Sequence, residues 1–187
     1  MRVDEAEGKR LAAYARAVIA EALGGDRASK PHSPAIDEEG ATFVTLRRRD
    51  GDLHGCIGAL EAQRTIVDDV AKNAVAAALY DPRAPVITLR DVAELDVEVS
   101  LLSRLEPIEF DGTEGGAVRA LVPFRDGVVL ELGHRRGTFL PQVWETLPRP
   151  VDFLEHLKEK AGLAKTFWSP DIRLSRYTSR KWLDRAS

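Results

Sequence analysis

This chain has one cysteine in 187 residues, no long apolar run and no large excess of either charge, and each absence excludes something. A lone cysteine rules out an intrachain disulfide and a cysteine-based zinc cage within one subunit, and it suits a reducing compartment. No apolar stretch approaches the roughly 20 residues needed to span a bilayer. The first residues, Met1 to Glu7, are polar and lack the apolar core of a secretory signal, so the expected location is cytoplasmic. A net charge of −3 gives no general attraction to nucleic acid or to an anionic membrane, and neither is expected as a partner. The one basic run, Arg47-Arg48-Arg49, is followed at once by Asp50 and Asp52 and reads as a solvated turn.

What is present is the composition of a folded globular chain, 44% apolar and 30% charged. The length suits one substantial domain over 1–187, with part of the chain forming a small lobe. Residues 5–23 carry Leu11, Tyr14, Ala15, Val18, Ile19 and Ala22 at helical spacing, and Gly24-Gly25 supply the stop. Residues 25–40, rich in Gly, Pro, Ser and charge, read as a surface loop. Ala41 to Arg48 is a strand, and Asp50-Gly51 is a hairpin turn leading into a second strand from Leu53 to Ile57. Thr65-Ile66-Val67-Asp68 opens a helix whose apolar face is Val70, Ala74, Val75, Ala78 and Leu79.

Leu95 to Leu101 alternates sharply, with Leu95, Val97, Val99 and Leu101 on one face and Asp96, Glu98 and Ser100 on the other. Downstream, strands are expected at 118–123 and 127–132, a turn at His134-Arg135-Arg136-Gly137, and a short helix from Pro141. A helix over Val151 to Ala161 and a last strand from Ile172 to Thr178 complete the set. The tryptophans at 144, 168 and 182 sit singly among apolar neighbours and read as packing residues. With hairpins, no strict βα alternation and no repeat, the pattern predicts an α+β fold with a mainly antiparallel sheet flanked by helices.

The chemistry-bearing stretch is Leu53-His54-Gly55-Cys56-Ile57-Gly58. Gly55 and Gly58 permit positive φ and close approach of another group, and they remove side chains that would otherwise cover the thiol. His54 and Cys56 lie two apart on a strand, so period two puts them on one face. No His-x-x-x-His or Cys-x-x-Cys spacing accompanies them, and no metal site is expected.

These residues resemble the AMMECR domain family of the bacterial and archaeal AmmeMemoRadiSam system. The hallmark Leu-Arg-Gly-Cys-Ile-Gly is matched by Leu53 to Gly58, with His54 in place of the arginine. Agreement continues through Asn73-Ala74, Asp81-Pro82-Arg83, Glu98-Val99-Ser100, Leu140-Pro141-Gln142-Val143 and Lys160-Ala161-Gly162-Leu163, over most of the chain. The resemblance implies two unequal lobes with the cysteine motif bordering a cleft, and Memo-like and radical SAM proteins as partners. It supplies no reaction and no cofactor.

Two classes of function stay open. In one, the chain is an enzyme or enzyme subunit acting on a small, anionic molecule in a cleft, bound by His54, Gly55, Gly58, Glu98, Ser100 and Arg83 around Cys56, which is the catalytic nucleophile, a contact group or a packing residue. In the other, the chain is a non-catalytic binding or adaptor module. Arg83 has the fork geometry for carboxylate or phosphate. A helix of about 15 residues separates it from Cys56 by on the order of 22 Å, so direct sharing of a ligand requires the chain to fold back after Tyr80. Arg83 is therefore expected at the rim of the site or as a structural clamp.

Overall fold

The computed structural model describes residues 3–186. In chain order its elements begin with α1 (Glu5–Ala22), β1 (Thr42–Arg48), β2 (Leu53–Gly58), α2 (Ile66–Leu79), a 3-10 segment at Leu89–Glu94 and β3 (Leu95–Leu102). They continue with β4 (Glu106–Pro107), α3 (Glu114–Ala120), β5 (Gly127–Leu132), β6 (Arg135–Phe139) and a 3-10 segment at Pro141–Glu145. The last three are α4 (Pro150–Lys160), β7 (Arg173–Tyr177) and β8 (Ser179–Asp184). The chain forms two compact units, one running to Leu102 and resuming at Arg180, the other spanning Ser103–Ser179. Each holds a four-stranded antiparallel sheet, in the orders β2-β1-β3-β8 and β4-β7-β5-β6. The fold is α+β.

In the first unit, α1 starts with a reciprocal cap: Glu7 N–H donates to Asp4 Oδ1 at 2.8 Å and Asp4 N–H to Glu7 Oε2 at 3.0 Å. Its buried stripe, Leu11, Ala12, Ala15 and Ile19, joins Val44, Leu46, Val97, Val99 and Leu101 from the sheet in one core. At Gly8 the Trp182 ring occupies the space a side chain would need, 2.0 Å from an ideal Cβ, so α1 lies directly on β8. The alanines of α2, with Ala74 and Ala77 fully buried, let that helix approach the sheet equally closely.

A buried polar knot fixes the start of α2 to the start of β1. Asp69 Oδ2 accepts from Thr42 N–H at 2.9 Å, from Thr42 Oγ1 at 2.7 Å and from Asn73 Nδ2 at 3.0 Å. Arg64 Nη1 donates to the other oxygen at 2.8 Å and balances the charge. A carboxylate 1% exposed is tolerated because every bond it needs is made.

The second unit packs Trp144 flat on Phe153, with ring centroids 3.7 Å apart, over a core that includes Val128, Leu130, Leu157 and Leu174. Trp144 Nε1 donates to the carbonyl of Asp126 at 2.7 Å.

Three expectations fail in this unit or at its edge. Residues 118–123, read as a strand, begin inside α3: the Thr113 hydroxyl caps that helix by accepting from Gly116 N–H at 2.9 Å, and the helix runs through Ala120. The turn expected at Arg135-Arg136-Gly137 lies one step earlier. Leu132 pairs with Arg135, leaving Gly133 (φ +57°) and His134 as the connection, and Arg135 opens β6. The strand β8 was not expected. Only Trp182 of its residues is buried, so it has no apolar alternation to betray it.

Asp69→Ala leaves the Thr42 N–H and hydroxyl without their acceptor and is expected to destabilise the protein by about 2–4 kcal/mol. Urea denaturation of the variant beside the wild type measures it.

Candidate functional site

Cys56 sits on β2, the edge strand of the first sheet, directly opposite Thr45 of β1. Its backbone N–H donates to Asp81 Oδ2 at 2.9 Å, so that group points away from β1. Cys56 and Thr45 therefore form the narrow kind of antiparallel pair, in which side chains approach most closely. The thiol lies 3.2 Å from the Thr45 hydroxyl and is partly exposed. On the open side, Arg83 Nη2 reaches the Cys56 carbonyl at 3.4 Å. The Asp81-Pro82-Arg83 turn thus offers the edge strand an acceptor and a donor, as a neighbouring strand would.

Asp81 is the centre of this clamp. Its side chain is 1% exposed, and besides Cys56 N–H it accepts from Arg83 N–H at 3.0 Å, Arg83 Nε at 2.9 Å and Arg83 Nη2 at 2.7 Å. The Arg83 side-chain bonds, then the Cys56 N–H, hold the carboxyl well below the usual carboxylate range against the opposing effect of burial. The same contact holds the guanidinium above its ordinary value. Arg83 itself is 63% exposed at the side chain.

The helix between Cys56 and Arg83 does not hold them apart. The chain leaves β2 at Gly58, reaches Ile66 at the far end of the sheet, and α2 then runs back antiparallel to β2. Ala77 and Ala78 consequently lie against Gly55 and His54, and the residues after Tyr80 arrive beside Cys56. The return of the helix replaces the chain reversal that the helix length demanded.

His54 does not share the face of Cys56. The β1–β2 register runs Thr45↔Cys56, Leu46↔Gly55 and then Arg47↔Leu53, a bulge that leaves His54 as the extra residue. The bulge turns the imidazole toward α2, where it is 1% exposed with Nε2 3.3 Å from the Ala78 carbonyl and Nδ1 without a hydrogen-bond partner among the described residues. Gly55 and Gly58 are required by proximity and not by φ, since neither has a positive φ. An ideal Cβ at 55 would lie 2.1 Å from the Ala77 carbonyl oxygen, and one at 58 would lie 2.3 Å from the Phe43 ring.

Glu98 and Ser100 stand opposite Thr45 and Phe43 on the other side of β1, on the face away from Val97 and Val99. Ser100 is only 2% exposed. Glu98 pairs with Lys181 of β8 at 3.3 Å. A row of Cys56, Thr45, Glu98 and Lys181 thereby crosses all four strands. Asp81, Thr45 and Lys181 were missed as site residues. By composition the Asp81-Pro82-Arg83 string reads only as a turn, and nothing local connects Thr45 or Lys181 to the thiol. Among the described residues no three His, Cys, Asp or Glu side chains gather as a metal site, and no helix is long and apolar enough to cross a membrane.

Because the folded Asp81 carboxyl titrates below its ordinary value near 3.8, its contribution is complete above that value and is lost as the pH falls below it. Asp81→Asn is expected to cost about 1–3 kcal/mol at neutral pH. The gap to wild type should narrow steadily below about pH 4. Thermal denaturation of both proteins over an acid pH series reads this out.

The sequence and fold have relatives. A family model described as AMMECR1 matches residues 12–182. A protein of Methanothermobacter thermautotrophicus is 33% identical over 185 residues, covering 93% of this chain and 92% of its own. A protein of Thermococcus gammatolerans is 34% identical over 191 residues, covering 95% and 90%. The crystal structure of an uncharacterized protein from Pyrococcus horikoshii superposes with a TM-score of 0.88 at 31% identity, covering all of this chain and 95% of that one. With the cysteine motif on its edge strand and the match extending over nearly its whole length, this chain belongs to the AMMECR1 family.

Proposed function

We propose that the chain binds a small anionic molecule beside β2, on the face of its first sheet opposite α1 and α2, with the Cys56 thiol as a contact group. The observation that carries this reading is the clamp around Cys56. Its N–H and carbonyl are both engaged by the Asp81-Pro82-Arg83 turn, and its thiol is held at 3.2 Å by the Thr45 hydroxyl. A site whose groups are fixed before the ligand arrives loses little freedom on binding. The Arg83 guanidinium, its fork taken up by Asp81, stands at the rim and favours negative charge only from a distance.

Contact is favoured over nucleophilic attack. An activated thiol needs a base or cation against its sulfur. The sulfur's bonded neighbour is a neutral hydroxyl, the nearby Arg83 guanidinium is bonded to Asp81 and to the Cys56 carbonyl and acts on the thiol only from a distance, and the one histidine of the motif is turned to the other face.

A second reading makes the chain an adaptor for Memo-like and radical SAM proteins, as the family resemblance implies. It is favoured by the exposed apolar side chains Leu53, Tyr80 and Val86 on the same unit, 42%, 74% and 98% accessible.

Iodoacetamide is expected to modify Cys56 in the folded protein. Cys56→Ser should reduce the co-purified small molecule seen by native mass spectrometry, with a melting temperature close to wild type. Arg83→Ala should act mainly on stability, lowering it by about 1–3 kcal/mol because Asp81 is left buried without its cation. Alkylation only after denaturation, or the reverse pattern in the two variants, would dismiss the thiol-centred site in favour of the adaptor.

A further inference from the structure

Apart from the Cys56 clamp, the first unit carries a concave site at the hairpin end of its sheet. A cavity of about 610 Å³, well within the range of small-molecule sites, is bordered by Arg48, Val86, Ile87, Asp91, Glu94 and Leu95. It shares no lining residue with the Cys56 clamp. Period two along β1 places Arg48 on the same face as Val44 and Leu46, the face covered by α2 and the 3-10 segment at Leu89–Glu94. The cavity lies where that covering layer stops.

Most of the charges around it are already committed. Arg49 pairs with Glu94 at 2.7 Å. Asp91 Oδ2 accepts from Thr88 N–H at 2.7 Å and from the Thr88 hydroxyl at 2.8 Å. Asp50 Oδ1 accepts from Asp52 N–H at 3.0 Å. Arg48 is the exception. It is exposed, its backbone N–H is engaged by Asp52, and its guanidinium makes no hydrogen bond or ion pair among the described residues. The bonds from Thr88 hold Asp91 below the usual carboxylate range, and Arg48 and His54 add smaller pulls from a distance. Arg48 is thus near the acidic wall without being neutralised by it.

The rest of the wall is apolar. Ile87 and Leu95 are buried at 5% and 2%, and beside them Val86 stands 98% exposed. An uncommitted guanidinium next to an apolar wall selects a class of ligand. Among the described residues no three acidic side chains converge to hold a metal ion, and a bare inorganic anion gains nothing from the exposed Val86. An organic carboxylate satisfies both parts, since its two oxygens match the guanidinium fork and its carbon chain covers the apolar side chains. We infer that this cavity binds a small organic carboxylate, with Arg48 taking the carboxylate and the exposed Val86 covering its apolar body above a floor of Ile87 and Leu95.

The test is a two-dimensional amide NMR titration of the full chain with hexanoate, hexylamine and inorganic phosphate in parallel. Hexanoate is expected to give saturable shifts clustered at residues 48 and 86–95, and the other two probes none. Arg48→Gln should weaken hexanoate binding by about tenfold, the order of a lost charge-assisted pair. Val86→Ser, at a position too exposed to affect folding, should weaken it several-fold. Cys56→Ser should leave it unchanged, which separates this site from the thiol-centred one. Phosphate or hexylamine matching hexanoate, shifts centred on Cys56, or full-strength binding by Arg48→Gln and Val86→Ser would each overturn the assignment.

Discussion

The chain's one thiol is where it is because a buried carboxylate holds the strand beneath it. Asp81 accepts from Cys56 N–H and from both the main chain and the side chain of Arg83. The arginine compensates the charge that burial would otherwise penalise. At the opposite end of α2 a second buried carboxylate, Asp69, does the same for β1 through Thr42 and Asn73. The helix is therefore tied to the sheet at both ends by charged hydrogen bonds, and between them by alanines that permit contact at backbone distance. The edge strand, the narrow Thr45–Cys56 pair and the bulge at His54 all rest on that placement.

Much of this was legible in the sequence wherever a single periodicity ruled. The α1 stripe, the capped start of α2 and the alternation of β3 each belong to one element packed on one face, and the structure has them nearly to the residue. Legibility failed where two signals competed. The stretch 118–123 has the apolar content of a strand, but the Thr113 cap and the helix it starts decide the outcome. Arg135-Arg136-Gly137 has the composition of a turn, yet Gly133 makes the turn first and leaves those residues to pair with β5. It failed again where the sequence is silent. The bulge that reverses His54 is a property of how β1 and β2 pair, and nothing within Leu53 to Gly58 announces it.

The candidate site shows the same division. Its glycines were recognisable as special, but the reason differs from the one their chemistry first proposes. Gly55 and Gly58 keep ordinary strand geometry and are small because a helix carbonyl and an aromatic ring occupy the space above them. The motif is thus in part a packing code, with the thiol carried on the residue between. Its neighbours Thr45, Glu98 and Lys181 come from three other strands, and only the ladder brings them into one row.

The first sheet takes its last strand from residues 179–184, after the whole of the second unit has intervened. During synthesis on a ribosome the continuous stretch Ser103–Ser179 emerges complete, while the earlier stretch still lacks β8 and the Trp182 ring that fills the notch at Gly8. The part made second is therefore able to finish first, and the part made first waits with one flank of β3 uncovered. Closing it joins contacts almost the full chain length apart, such as Arg180 with the Val3 carbonyl and Trp182 with Glu5. Such distant pairings carry the largest loop-closure cost of any contacts in this sheet. Until that closure happens, the strand that bears Glu98 has only one neighbour.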